Sequence, residues 1–235
     1  MILMKWITTN GCMVHQIIKG RSNSYLVMDN NISILVDTGM ENSRKELIEK
    51  LDDFLGEKRL SYLVLTHAHY DHVGNAATVK KRYDTKIIIQ KKELEYLREG
   101  ASQVPSGTNF ITHILVALAG RISKFSEYEK VQADFLVDDE YILSPNCYLM
   151  HTPGHTDGSM SLIVDGEVAL VGDAMFGVFN WSVFPPFADD VPTMIKSWRK
   201  LLKTGCHSFL PGHGTKNSRE LLKKQYDKYK KRYMD

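Results

Sequence analysis

The chain has 235 residues, 43% of them hydrophobic, which is enough to bury the core of one large domain. A net charge of +2 with 25% charged residues sets up no global field for nucleic acid or an anionic membrane surface, so neither is expected as a partner. Cys12, Cys147 and Cys206 form no C-x-x-C pair and no apolar run is long enough to span a bilayer, so free thiols in a reducing, cytoplasmic setting are expected.

Residues 1–10 have no signal-peptide layout of charged, apolar and small-residue zones, which agrees with that setting. From Trp6 to Val36 the chain reads as short strands and turns, with Asn10-Gly11 as a hairpin corner. The strands at 23–28 and 32–36 are separated by Asp29-Asn30-Asn31, and the second runs into Asp37-Thr38-Gly39. Residues 43–55 are helical, with Leu47, Ile48, Leu51 and Leu55 on one face. A strand at 62–65 leads into a polar stretch at 66–74, a helix follows at 74–83, and Lys86-Ile87-Ile88-Ile89-Gln90 is again a strand. Strand–helix–strand alternation of this kind points to an α/β layered fold.

The segment 91–137 fits that pattern less easily. It starts helically at 93–97, loosens through 100–107 and resumes over 110–122, where Ile111, Ile114, Leu115, Leu118 and Ile122 make an apolar stripe. Two readings stand: a helical insertion covering a functional site, or an ordinary helix packed on the sheet. His113, within it, reads as hydrogen-bonded or partly exposed. Residues 148–170 return to short strands. Residues 190–202 form a helix with Pro192 near its start, and 218–232 form a basic C-terminal helix capped by Ser218 and read as a solvated face. No repeat or linker divides the chain, so 1–235 is taken as one domain.

The polar stretch carries the chemistry. His67-Ala68-His69-Tyr70-Asp71-His72 places three imidazoles and a carboxylate within six positions at a strand end. Extended backbone sends His67 and His69 to one side, and Asp71 and His72 follow where the chain turns. A solvated His-rich loop accounts for one or two such residues, but not for four. Buried together they need a partner of opposite character, and a divalent cation satisfies all of them. Three further corners each add one ligand type beside Gly or Pro: His155 in Pro153-Gly154-His155, Asp173 after Gly172, and His213 in Pro211-Gly212-His213. Nitrogen and oxygen donors without thiolate suit Zn²⁺, and Fe or Mn accept the same set.

This ordered set of motifs, from Asp37 to His213, resembles the metallo-β-lactamase fold superfamily. The resemblance implies a four-layer αββα sandwich and two divalent ions, Zn expected. It implies one ion held by His67, His69 and His155, the other by Asp71, His72 and His213, and Asp173 as the bridge, with Asp37 supporting the metal loop from beneath. It further implies hydrolysis through a metal-bridging hydroxide, with Asp71 orienting it or carrying a proton to the leaving group. His72 and Asp173 together look more like the glyoxalase II, lactonase and phosphodiesterase branches than the enzymes that named the superfamily. With only about twenty residues after His213, glutathione recognition of the glyoxalase II kind is not expected, nor is a flexible tRNA-binding arm or a flavin domain. The persulfide dioxygenases keep the same loop and use a single iron at the equivalents of His67, His155 and Asp173.

Phe176, Phe179, Trp181, Phe184 and Phe187 crowd into the loop after Asp173, so some of them are expected to line a substrate pocket. Tyr70, Phe176, Phe179 and Trp181 are the candidates. The leading expectation is hydrolysis of an ester-like acyl bond (thioester, lactone or similar) in a small molecule. A phosphodiesterase, a mononuclear-iron sulfur dioxygenase and a non-catalytic metal-binding module remain as alternatives. The sequence offers no reading of the oligomeric state.

Overall fold

The apolar runs are buried on both faces, and this stacks the chain in layers. A computed structural model describes residues 4–103, 105–108, 112 and 127–233. The first sheet holds β1 (Lys5–Ile7), β2 (Met13–Lys19), β3 (Asn23–Asp29), β4 (Ile32–Val36), β5 (Tyr62–Val64), β6 (Lys86–Gln90) and β7 (Phe135–Val137), in that order. The first four are antiparallel and the rest parallel. The second sheet contains β8 (Glu140–Ile142), β9 (Cys147–His151), β10 (Met160–Val164), β11 (Val168–Gly172), β12 (Ser208–Pro211) and β13 (Asn217–Ser218), with β11 and β12 as its one parallel pair.

Alternation along each strand builds the layers. Tyr25, Val27, Ile34 and Val36 face Leu149, Leu162, Val164 and Leu170 between the sheets. The intervening Leu26 and Leu35 face the other way, onto Leu47, Leu51 and Leu55 of α1 (Arg44–Leu55) and Val79 of α3 (Ala76–Tyr83). On the far side, Ile163 and Ala169 meet Met194, Ile195 and Trp198 of α5 (Val191–Lys203) and Leu222 of α6 (Arg219–Tyr233). The result is the expected αββα order. Asp190 caps α5 by accepting from the Thr193 amide at 3.0 Å, and Pro192 sits in its first turn. Ser218 accepts from the Leu221 amide at 3.2 Å at the start of α6.

One boundary moves. The helix expected at 74–83 starts at Ala76 as α3, and a separate short helix α2 (Tyr70–Val73) precedes it, because Gly74 and Asn75 are tied to the strand corner below them. A Cβ on Gly74 would lie 2.7 Å from the Glu41 amide nitrogen, and Asn75 Nδ2 donates to the carbonyls of Thr38 and Met40 at 2.9 and 2.7 Å.

The segment after β6 begins helically as read, with a 3₁₀ turn at Lys91–Glu93 and α4 (Leu94–Glu99). Further on, the amide of Thr108 donates to the Pro186 carbonyl at 3.0 Å, so this part runs beside the loop after Asp173. The apolar stripe and His113 lie outside the described residues. The three cysteines are free and buried.

Candidate metal centre

Strand ends from both sheets deliver their polar residues to one edge of the sandwich. β5 runs into Thr66, His67 and His69, with His69 still extended (φ −71°, ψ 141°), and α2 then turns Asp71 and His72 inward. His155 follows β9, Asp173 follows β11 and His213 follows β12. The structure brings all seven expected residues together. His69 Nδ1 lies 2.9 Å from His67 Nε2 and 3.0 Å from His155 Nε2. His213 Nε2 lies 3.4 Å from His72 Nε2 and 3.5 Å from Asp71 Oδ2. Asp173 stands between the two groups. Its Oδ2 is 3.1 Å from His213 Nε2 and 3.6 Å from His155 Nε2, and its Oδ1 is 3.4 Å from His72 Nε2.

The outer hydrogen bonds decide where the protons are. Thr66 spends its hydroxyl proton on Asp37 Oδ2 at 2.8 Å, so it accepts from His67 Nδ1 at 3.0 Å. His72 Nδ1 donates to the same Asp37 oxygen at 2.8 Å, and His155 Nδ1 donates to the Phe187 carbonyl at 2.9 Å. His213 Nδ1 donates to the Arg21 carbonyl. Each bond fixes a proton on Nδ1 and turns Nε2 inward. Four Nε2 atoms and two carboxylates therefore converge. Asp173 Oδ1 is buried with no hydrogen-bond partner.

Protons do not answer this demand throughout. Burial, reinforced by the neighbouring imidazoles, holds His67 and His69 well below the usual histidine range, so these two stay neutral. At His72 burial is outweighed by Asp173, Asp37 and Asp71, which hold it well above that range; at His213 Asp173 likewise prevails over burial. Asp173 is held well below the carboxylate range because His213 and His72 overcome its burial. An all-imidazole triad beside one that carries a carboxylate, with no thiolate, fits divalent cations of the Zn, Fe or Mn type. Packing enforces the approach: a Cβ on Gly212 would lie 2.4 Å from Asp173 Oδ1 and 2.5 Å from His72 Cε1.

A family model described as the metallo-beta-lactamase superfamily matches residues 17–213, most of the chain. The chain belongs to the metallo-beta-lactamase superfamily. It is 26% identical over 197 residues to a probable metallo-hydrolase, YflN, of Bacillus subtilis, covering 77% of this chain and 75% of that protein. It is 27% identical to the hydroxyacylglutathione hydrolase GloC of Haemophilus influenzae, covering 80% and 82% respectively. Among solved structures, the archaeal superfamily protein ST1585 of Sulfolobus tokodaii superposes with a TM-score of 0.67 at 22% identity, over 92% of this chain and 85% of that one.

Within this superfamily member, two supports lie behind the ligands. Asp37, in left-handed backbone at φ 58°, takes the Thr66 amide on Oδ1 at 2.8 Å besides the two bonds above. Glu93 is one that sequence reasoning missed. Its carboxylate is buried and accepts from the Ala68 amide at 2.9 Å, the Thr156 hydroxyl at 2.7 Å and the Gly158 amide at 3.0 Å. It thus ties the His67–His69 loop to the His155 loop. Burial pushes its carboxyl upward, against the pull of these donors. The available signal was its place just after β6, a strand that ends at the same edge as β5.

A cavity of about 600 Å³ opens beside His213 and is walled by Phe176, Phe179, Trp181 and Arg21. Phe176 stacks on the His213 ring with centroids 4.6 Å apart. Phe179 and Trp181 are 52% and 67% exposed, so they form a rim rather than core. Phe184 packs on Trp198 and Tyr229, and Phe187 contributes its carbonyl to His155. Tyr70 lines a separate recess of about 360 Å³ with Met40, Glu41 and Tyr128.

Proposed function

We propose that the chain, a metal-dependent hydrolase of the metallo-beta-lactamase superfamily, uses two divalent ions, zinc foremost, to cleave an ester-like acyl bond of a small molecule. The observation that carries this reading is Asp173, whose two oxygens reach donors of both triads at 3.1–3.6 Å. Bound there, two ions would acidify a water to serve as nucleophile and polarise the scissile carbonyl. The chain's own groups do the rest. Asp37, Thr66 and the Phe187 carbonyl hold the imidazoles in one tautomer and orientation. Asp71 Oδ2, beside His213 at 3.5 Å, stands where it can hold a proton for the leaving group. Phe176, Phe179 and Trp181 take the apolar part of the substrate and exclude water from it.

The acyl bond is favoured by the likeness to a protein named as a hydroxyacylglutathione hydrolase. A small substrate is favoured over a nucleic acid because, among the described residues, Arg21 is the one Lys or Arg that lines the cavity, whereas a phosphate backbone needs many. No helix among the described residues is long and apolar enough to cross a membrane.

The test is a series of thioesters of growing acyl length, run beside a phosphodiester and single-stranded RNA. Each covered methylene is worth about 0.8 kcal/mol, so kcat/KM should climb roughly fourfold per step until the rim is passed. Trp181→Ala should flatten the climb. Preference for RNA with steep salt dependence, or no gain with length, overturns the reading.

A further inference from the structure

The charged residue at the cavity mouth is not accounted for by the metal centre. Arg21 sits at the tip of the β2–β3 hairpin, and the hairpin is fastened to the loops that carry the metal ligands. The Arg21 carbonyl accepts from His213 Nδ1, and the Ser22 hydroxyl donates to the Asp71 carbonyl. The Asn23 amide donates to the Gly212 carbonyl at 2.7 Å, and its side-chain amide donates to the carbonyls of Pro211 and Gly214, both at 3.0 Å. The guanidinium carbon lies 5.8 Å from the ring centroid of Tyr70, the residue between His69 and Asp71. That is cation–π distance, and it steadies the side chain without neutralising its charge.

Arg44, Arg59, Arg82 and Arg98 each lie within ion-pair distance of a carboxylate. Among the described residues Arg21, Arg199, Arg219 and Arg232 are in no such pair, and of these Arg21 alone lines the cavity. Arg21 is exposed and, among the described residues, is the one Lys or Arg lining the cavity, with His213 on one wall and Phe179 and Trp181 on the rim. An organised, unneutralised guanidinium beside an apolar wall suits a bidentate contact with a planar or tetrahedral anion.

We propose that Arg21 forms an anion subsite, and that the physiological substrate is an acyl ester or thioester bearing a carboxylate or phosphate on its apolar arm. The inference rests on the reading of this cavity as the place where the substrate arm lies.

The experiment compares thioesters of one thiol: an adipoyl thioester ending in a free carboxylate, its methyl-capped twin, and an analogue of equal length ending in a phosphate. The wild-type protein should favour the anionic members over the capped one by at least about tenfold in kcat/KM, the scale of a charged hydrogen bond. The larger preference of the two identifies the anion. In Arg21→Gln the ratio should collapse toward one, mostly through KM, and Arg21→Lys should restore part of it. Equal rates on capped and anionic substrates, or a preference that survives Arg21→Gln, overturns the subsite. Turnover of the capped thioester reports on the hydrolase reading independently. If no thioester is turned over, calorimetric titration with octanoate and octanamide still decides: octanoate should bind at least about tenfold more weakly to Arg21→Gln, and unchanged binding rejects the proposal.

Discussion

Glu93 ties two loops of the candidate metal site together without being one of its candidate ligands. Three donors from two ligand loops end on its buried carboxylate. Glu93→Ala leaves them without an acceptor, and each buried orphan costs about 1–3 kcal/mol. The loops holding His67, His69 and His155 then lose their common tie. Metal affinity should fall by about 10–100-fold, as when a partner behind a ligand is removed. Glu93→Gln keeps one acceptor oxygen and should recover part of the loss. Competition with a chromogenic chelator, on protein shown by circular dichroism to be folded, measures both. Wild-type affinity in Glu93→Ala would mean that the loops hold their geometry unaided.

Among elements, the short strand β7 pairs with β6 and is flanked by a charged cluster at its start. Asp134, just before it, accepts from the Ile87 amide of β6 at 2.9 Å and from Lys80 of α3 at 2.7 Å, with Lys86 at 3.3 Å. Partial burial opposes ionisation of this carboxyl, but these donors prevail and hold it below its ordinary 3.8. A carboxyl depressed in the folded state contributes stability that is complete above the unfolded value and is lost as pH falls through the folded one. Lowering the pH from 5 through 3.8 and below should therefore lower Tm, and Asp134→Asn should make that acid limb shallower. Thermal melts across the range test it, and parallel limbs for both proteins would show that the pairing is energetically idle.

At the scale of the molecule, both halves of the sandwich complete the site. The first sheet brings His67, His69, Asp71 and His72, the second brings His155, Asp173 and His213, and Asp173 touches both groups. Two ions per chain are expected at saturation. Asp173→Ala should cost more activity and metal than His213→Ala, because the ions would face each other without a shared carboxylate. Ions that bind only the folded form also stabilise it, so chelation should lower Tm. Elemental analysis, activity and melts on the same preparations check all three. One ion at saturation with full activity would contradict the binuclear reading, and if that ion is iron and oxygen is consumed, sulfur dioxygenation takes its place.

The sequence by itself determined the candidate ligands and the layered architecture. Continuous apolar runs such as Leu26-Val27 and Leu35-Val36 record burial on both faces, and His67, His155, Asp173 and His213 stand at the corners where strands end. These are local patterns, fixed by backbone periodicity and by the Gly and Pro that turn the chain. Everything that depends on contact across long separations waited for the tertiary structure. The break between α2 and α3 came from Gly74 and Asn75 meeting residues 38–41. Glu93 looked like the first residue of a helix until its three donors arrived from residues 68, 156 and 158. Which rings stay exposed also needed the fold, since Phe184 and Trp181 are alike in sequence context, yet one packs on α5 and α6 and the other rims the cavity. A side chain's type is local, but its partners are chosen by packing, and that choice separates core from site.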